Sequence, residues 1–122
     1  MIEPALRTIA EHYGRAHQLE KAAEEAAEFI QAALKYKNAE GNSEAINAMR
    51  HLAEEFADLR IMLDQLAYLI PYLVNSEPEN RAFKIERQFQ RIASEIKLNR
   101  LPSGFCTDAS GTIYAKKSNF DE

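Results

Sequence analysis

The chain reads LEKAAEEAAEFIQAA at residues 19–33 and LAEEFADLRIMLDQL at residues 52–66, and these two stretches decide the fold. In both, apolar residues recur every three or four positions, the spacing that gives a helix one apolar face. Each stretch also carries the same acidic pattern, E-E-x-x-E at residues 24–28 and E-E-x-x-D at residues 54–58. We therefore predict an all-α protein in which two amphipathic helices each carry an acidic motif.

The acids occupy matching places around the two predicted helices. At about 100° per residue, Glu25 and Glu28 border the apolar stripe of the first helix, and Glu55 and Asp58 border that of the second. Residues three apart share one helix face, so packing of the two stripes would bring four carboxylates together. Carboxylate oxygens are the ligands that hard cations such as Mg²⁺ select, and clustered anions are unfavourable without a cation. The pattern therefore predicts a metal site.

The other acids and the small residues fit the same arrangement. Glu24 and Glu54 fall further round each helix, toward solvent, where they could support the ligands or balance their charge. Small side chains near the first motif would let the helices approach closely: Ala22, Ala23, Ala26, Ala32 and Ala33. Acidic patterns also occur on ordinary solvated helix faces. The pattern alone therefore leaves a metal site and a charged surface both open.

Composition and charge exclude several classes of function. The 122 residues are expected to form one helical domain, residues 1–100, followed by an irregular tail, residues 101–122. A formal net charge of −4 argues against nucleic acid as a partner, because such binding relies on basic patches. Cys106 is the only cysteine, which excludes an internal disulfide and a cysteine-rich zinc site.

No association with a membrane is predicted. The apolar run from Leu66 to Val74 is too short to span a bilayer, and the first residues lack a basic segment followed by an apolar one. A cytoplasmic location is therefore expected, and the lone cysteine agrees with a reducing compartment.

Proline, glycine and serine residues delimit the predicted helices. Pro4 suits a first helical turn, and Gly14 suits a helix end. Ser43 is a candidate cap, and Pro71 should kink or end the helix before it. The sequence SEPE at residues 76–79 has capping-box spacing. The predicted helices are residues 4–13, 16–37, 44–70 and 77–99, with a candidate short strand at residues 112–115 in the tail.

The acidic motifs and their surroundings are similar to those of a known enzyme family. E-x-x-E at residues 25–28 is followed by E-x-x-D at residues 55–58, with 26 residues between them. The similarity includes Tyr13-Gly14, Gln18, AEFIQA at residues 27–32, EEFAD at residues 54–58, IML at residues 61–63, and the basic residues Lys84, Arg87 and Arg91. Over about residues 8–98 the chain thus resembles the MazG-like branch of the all-α nucleoside triphosphate pyrophosphohydrolases, which implies an antiparallel helical bundle.

This resemblance implies Mg²⁺-dependent hydrolysis of a nucleoside triphosphate, with deoxynucleotides as the expected substrates, to the monophosphate and pyrophosphate. Such an activity cleanses the nucleotide pool, and Mn²⁺ is a candidate substitute for Mg²⁺. By position, the metal ligands are Glu25, Glu28, Glu55 and Asp58. Water attack at the α-phosphorus also needs a carboxylate that accepts a proton. Which carboxylate serves is left open, with Glu24 and Glu54 as the candidate catalytic groups.

An antiparallel pairing of the two long helices also predicts the ends of the site. Gln18 would approach Gln65, and Lys35 would meet His51 at the opposite end. Amides can both donate and accept, so the two glutamines suit a nucleobase, on which Tyr13 or His17 could stack. Cationic side chains suit the phosphate tail, and the candidates are Lys35, Lys84, Arg87 and Arg91.

Two other functions and the state of assembly are left open. Phosphoribosyl-ATP pyrophosphohydrolase shares the fold and the acids, and a helical interaction module without catalysis is the alternative from another class. The context of Tyr13-Gly14 and residues 61–63 favours the MazG-like branch, and four intact carboxylates favour an enzyme. The apolar surface of the second long helix exceeds what one partner helix can cover, which predicts a homodimer or homotetramer.

Overall fold

The computed structural model describes residues 1–96, 105–107 and 112–115. Its elements are α1 (Pro4–Lys37), α2 (Asn42–Leu69), α3 (Pro71–Glu95), β1 (Phe105–Thr107) and β2 (Ile113–Ala115). The predicted all-α class is thus confirmed for the main part of the chain. No helix in the described part is long and apolar enough to cross a membrane.

Gly14 interrupts the helical backbone of α1. Its φ of 81° and ψ of 172° are not helical, so the segment before it and the longer segment after it are two helices joined at a kink. Only glycine adopts this conformation readily, because other residues would place a Cβ against the backbone. The predicted helix end at Gly14 and the start of the first helix at Pro4 are therefore confirmed.

The second helix begins differently from the prediction and ends as predicted. Gly41, with φ 81° and ψ 157°, precedes the first residue of α2, and no side chain caps this end. The predicted cap at Ser43 is therefore wrong, because the turn at Gly41 leads directly into a helix that starts at Asn42. At the other end, Ile70 is extended before Pro71, as expected for a residue whose helical conformation clashes with the following proline ring.

The last helix begins earlier than predicted. We expected it to start at residue 77, but α3 begins at Pro71 and continues through Pro78. Pro71 has a φ suited to a first helical position, where its missing N–H is not needed. Pro78 lacks the N–H that would bond to the carbonyl of Val74, yet the helix continues past it. The predicted end at residue 99 lies outside the described residues.

The chain divides into two compact units, Met1–Asn75 and Ser76–Glu122. The second unit contains most of α3 and an antiparallel pair of strands in which Phe105 lies opposite Ala115. The predicted strand at residues 112–115 is confirmed by β2. The expected boundary at residue 100, and the remainder of the tail, lie outside the described residues.

In the first unit, α1 packs against α2 with a thin apolar core. The start of α1 contacts the end of α2, where Tyr68 donates a hydrogen bond to Glu11. Further along α1, the ring of Phe29 lies 6.5 Å from the ring of Phe56 in the middle of α2. The buried apolar residues are Ala10, Ala22, Ala32, Met62 and Leu66. Much of the predicted apolar stripe remains exposed, including Leu19, Ile30, Phe56 and Leu63.

Candidate metal centre

Three carboxylates from the two acidic motifs converge between α1 and α2. Oxygen atoms of Glu25, Glu28 and Glu55 lie within 4.8 Å of one another. Glu25 and Glu55 are only 8% and 9% exposed, whereas Glu28 is exposed. Each of the two buried glutamates is therefore less accessible than most of the apolar residues in the same helices. Burial of like charges close together is unfavourable, and a bound cation is one way to offset it.

The inner oxygens of the two buried glutamates lack partners. Oε2 of Glu25 and Oε2 of Glu55 are inaccessible to solvent and accept no hydrogen bond from any described residue. A buried ionised oxygen without a partner is costly, and folded proteins nearly always pair such groups or use them to coordinate metals. The donor set, three carboxylates with two unsatisfied buried oxygens, thus fits a hard divalent cation such as Mg²⁺.

The outer oxygens of the same glutamates lie near basic residues on their own helices. Lys21 Nζ lies 3.2 Å from Glu25 Oε1, and His51 Nε2 lies 3.9 Å from Glu55 Oε1, a pair of opposite charges only when His51 is protonated. Each basic residue is four positions before its glutamate, the spacing at which side chains meet on a helix. The carboxylates of Glu25 and Glu24 raise the pKa of the Lys21 ammonium group above its ordinary value. One oxygen of each glutamate thus has a basic neighbour, and the other has no hydrogen-bond partner among the described residues.

Asp58 and the two remaining acids lie outside this group. Among the described residues, the converging oxygens do not include those of Asp58, whose side chain is exposed. Glu24 and Glu54 point to solvent, as the sequence predicts, and approach Lys21 at 3.4 Å and His51 at 3.9 Å. Three of the four predicted ligands are therefore brought together.

The predicted meeting of Gln18 and Gln65 is confirmed. Gln18 Nε2 donates a hydrogen bond of 2.7 Å to Gln65 Oε1, and both side chains are almost completely buried. They line a cavity of about 510 Å³ that also includes Lys21 and Glu24. Because Lys21 contacts Glu25, the cavity borders the carboxylate cluster.

At the opposite end, the predicted pair Lys35 and His51 share a cavity. Both line a second cavity of about 500 Å³, together with Asn38, Glu44 and Asn47. Lys84, Arg87 and Arg91 lie on α3 in the second unit, where all three are exposed.

Some residues at the centre and at the second cavity were missed by the sequence prediction. Lys21 was not singled out, although its position four residues before Glu25 signals a helix ion pair. Asn38 and Asn47 were also missed, because amides in a loop and on a helix surface carry no distinctive pattern.

Comparisons of this chain with protein families, with curated proteins and with solved structures find no match.

Proposed function

We propose that this chain is a Mg²⁺-dependent nucleoside triphosphate pyrophosphohydrolase, an antiparallel helical bundle of the all-α NTP pyrophosphatase type. The observation that carries the proposal is the pair of buried, unpartnered oxygens, Glu25 Oε2 and Glu55 Oε2, supplied by two copies of one acidic motif. Each belongs to a three-carboxylate group with oxygens within 4.8 Å. The substrates are nucleoside triphosphates, expected to be deoxynucleotides, and the products are the monophosphate and pyrophosphate.

The acids divide into two roles in this proposal. Glu25, Glu28 and Glu55 hold the cation, and the resemblance assigns the fourth position to Asp58. A bound Mg²⁺, or Mn²⁺ in its place, would screen the phosphate charges and make the attacking water more acidic. Glu24 or Glu54 then accepts the water proton on a carboxylate oxygen, while water adds to the α-phosphorus and the bond to the departing pyrophosphate breaks. Both are exposed and next to a ligand in sequence.

The two ends of the carboxylate cluster have different chemistry, which suits the two ends of a nucleotide. Gln18 and Gln65 lie at one cavity, where amide groups and aromatic rings suit a base. Lys35 and His51 lie at the other, where cations suit phosphates. For the exposed basic residues of the last helix, Lys84, Arg87 and Arg91, the resemblance supports a role in binding phosphate.

Pyrophosphate release tests this function directly. The purified protein is incubated with deoxy- and ribonucleoside triphosphates and with phosphoribosyl-ATP, with and without Mg²⁺. We expect Mg²⁺-dependent release from triphosphates, absent in Glu25→Gln and Glu55→Gln and retained in Asp64→Asn, a control that removes an exposed acid of α2 outside the cluster. Release from phosphoribosyl-ATP alone would move the chain to that enzyme class. No release from any compound would contradict an enzyme and favour the interaction module.

We further propose that the protein works as a homodimer or homotetramer. Apolar side chains on both long helices are about half exposed, among them Ile30, Leu34, Phe56 and Leu63, and a monomer rarely presents so many on neighbouring helices. A second copy would cover them. Sedimentation equilibrium at micromolar concentration tests this: an active species with the mass of one chain contradicts it.

Mixing two inactive variants tests whether subunits share a site. Glu28→Gln lacks a metal ligand, and Arg87→Ala lacks a basic residue of the last helix. If Arg87 serves the acids of a neighbouring subunit, mixed oligomers contain some complete sites and recover part of the activity. If subunits are shown to exchange and no activity is recovered, each site is formed within one chain.

A further inference from the structure

The cavity beside the carboxylate cluster has the size and lining of a small-molecule site. Its volume is about 510 Å³, and ligand pockets in proteins range from roughly 300 to 1,000 Å³. Its wall combines apolar side chains (Ile9, Ile61 and Met62), aromatic rings (Tyr13 and His17) and amides (Gln18 and Gln65) with the charged residues Glu20, Lys21 and Glu24. Convergent polar groups beside apolar and aromatic surface are what orient a bound heterocycle.

Two exposed aromatic rings form a flat surface at this cavity. The rings of Tyr13 and His17 are stacked with centroids 4.4 Å apart and an angle of 14° between their planes. Tyr13 is half exposed, and His17 is exposed as well. The two residues lie on either side of the kink at Gly14, so its non-helical backbone sets the position of one ring relative to the other. Planar bases stack readily on aromatic faces of this kind.

A chain of hydrogen bonds behind the rings has a fixed direction. Gln65 Nε2 lies 3.4 Å from the carbonyl oxygen of Ile61, which can only accept, so the Gln65 amide group points there. Gln65 Oε1 is therefore left to accept from Gln18 Nε2 at 2.7 Å. Both glutamines are almost fully buried, at 2% and 1% exposure, so neither can turn its amide to water.

The direction of this chain of hydrogen bonds determines which ring nitrogen of His17 carries the hydrogen in its neutral form. With its Nε2 engaged by Gln65, Gln18 presents Oε1 to His17 Nδ1 at 2.7 Å. An amide oxygen only accepts, so His17 Nδ1 carries the proton. In a neutral imidazole the other nitrogen, Nε2, is then an acceptor. The relay from Ile61 through the two glutamines thus holds one tautomer of an exposed ring at the cavity.

We propose that this cavity binds the base of the nucleotide, stacked on the Tyr13–His17 pair, and that His17 Nε2 accepts a hydrogen bond from an N–H group of that base. The proposal rests on the nucleotide substrate class of the proposed function. Gln18 and Gln65 are positioning residues, since they set the tautomer of His17 without needing to touch the base. Substrates must then carry an N–H donor on the ring or on an exocyclic amine.

Equilibrium binding of nucleoside monophosphates, without metal, tests this proposal apart from hydrolysis. AMP is compared with purine riboside 5′-monophosphate, and CMP with the corresponding pyrimidin-2-one ribotide, because each analogue lacks the N–H donor of its parent base. Ribose 5-phosphate is the compound without a base. We expect at least one parent nucleotide to bind about 10-fold more tightly than its donor-free analogue, the factor that corresponds to one hydrogen bond, and ribose 5-phosphate to bind most weakly.

Two variants separate the acceptor from the ring stack. His17→Phe keeps a flat ring but removes Nε2, so it should bind each parent and its analogue equally. His12→Phe is the matched control, because His12 is an exposed histidine of the same helix that contacts the edge of Tyr13 and does not line the cavity. It should preserve the difference. ¹⁵N spectra of the histidine rings should show His17 with a protonated Nδ1, and Gln65→Leu should release this preference even if affinity changes for other reasons.

The outcomes for this site and for the proposed function are distinct. Three results overturn the proposal, whether or not the protein releases pyrophosphate. They are equal affinities for each parent nucleotide and its analogue, an affinity for ribose 5-phosphate equal to that for the nucleotides, and a neutral His17 ring that carries its hydrogen on Nε2. The proposal is supported if the protein binds the parent nucleotides selectively and His17→Phe abolishes this selectivity. If that selectivity is found and no triphosphate is hydrolysed, the base site stands and the pyrophosphohydrolase does not.

Discussion

The acidic motif of α1 and the acidic motif of α2 place equivalent residues in nearly equivalent settings. Glu25 and Glu55 are the buried members, and each has one unpartnered oxygen and one oxygen near a basic residue four positions earlier. The motifs differ at their last acid. Glu28 joins the carboxylate group, while Asp58, at the matching position of α2, does not. The repeated pattern therefore produces two similar halves and one unequal position.

Side-chain length accounts for the unequal position. Glutamate is one methylene longer than aspartate, so from equivalent helix positions Glu28 extends further toward the group than Asp58. The basic neighbours differ as well, because the Lys21 ammonium group is 3.2 Å from Glu25 and the His51 imidazole is 3.9 Å from Glu55. The α1 half is thus the more tightly assembled. Side-chain length, and not only position on the helix, determines which carboxylates join the cluster.

The largest expected effect is on catalysis. We expect Glu25→Gln, Glu55→Gln and Glu28→Gln each to lower kcat/KM by more than about 100-fold, because even partners that only orient a metal ligand cost 10–100-fold when removed. Asp58→Asn should cost clearly less. Steady-state pyrophosphate release at saturating Mg²⁺ measures all four, with circular dichroism to show that helix content is kept.

Shortening the last acid of the α1 motif provides the control for this prediction. Glu28→Asp keeps the charge and shortens the side chain, so it should lose more activity than Asp58→Asn. If Asp58→Asn is as damaging as Glu28→Gln, Asp58 belongs to the ligand set on an equal footing, and the two halves are symmetric in the working enzyme.

The next effect is on stability and should reverse its sign with metal. Without a divalent ion, Glu25→Gln should raise the free energy of unfolding, since it removes one of two buried like charges. With Mg²⁺ at 100 times its dissociation constant, the wild-type protein should gain about 2.7 kcal/mol that the variant lacks. Urea unfolding with and without Mg²⁺ measures both quantities, and Glu55→Gln should behave in the same way.

The same gain from Mg²⁺ in Glu25→Gln and in the wild-type protein would mean that the ion binds elsewhere. A loss of stability in both variants without metal would mean that the carboxylates are stabilised by protein groups, as in a structural cluster. In either case the similarity of the two halves would have no connection to a metal.

A third prediction concerns a difference between the two helices, the break in α1. Gly14 and Gly41 have the same φ of 81°, and a Cβ added to either would meet no atom within 4 Å. Alanine at each site should therefore cost a similar amount, about 1–3 kcal/mol of backbone strain. Only Gly14→Ala should also weaken nucleotide binding, because only Gly14 separates the stacked rings of Tyr13 and His17. Equal effects on binding would remove that role from Gly14.

The smallest expected effect is at the Glu11 end of the helix pair. Tyr68 donates a hydrogen bond to Glu11, which lowers the pKa of Glu11, and Arg7 lowers this pKa further. A lowered carboxyl pKa adds stability that is present above the ordinary value of 4.5 and is lost as the pH falls through the folded value. Destabilisation by Glu11→Gln should therefore be measurable near neutral pH and shrink below about pH 4.

The partner of Glu11 provides the control at high pH. The same hydrogen bond raises the pKa of Tyr68 above its ordinary value of 10.0, so its contribution is present below that pH and is lost as the pH rises through the folded value. The losses of stability caused by Tyr68→Phe and by Glu11→Gln should not be additive at pH 7, since both changes act on the same hydrogen bond. Additive effects would show that the bond contributes nothing to holding α1 on α2.

Several features of this protein could be predicted because they are local. Gly14 and Pro71 each act on their own backbone or on that of a neighbour, and both act as the sequence predicts. Capping was predicted less well. Ser43 and the SEPE segment have the right residues for caps, but Gly41 and Pro71 come earlier and start each helix first.

The sequence by itself determined two amphipathic helices, the repeated acidic motif, and the solvent-facing positions of Glu24 and Glu54, because helix periodicity depends only on residue spacing. Only the tertiary structure decided which carboxylates converge, which oxygens lack partners, and how Gln18 and Gln65 direct the proton of His17. Those properties depend on side-chain reach and on hydrogen bonds between residues as much as 47 positions apart. Residue spacing predicted that Gln18 meets Gln65, but the reach of each side chain and the direction of each hydrogen bond are determined only when the two helices pack.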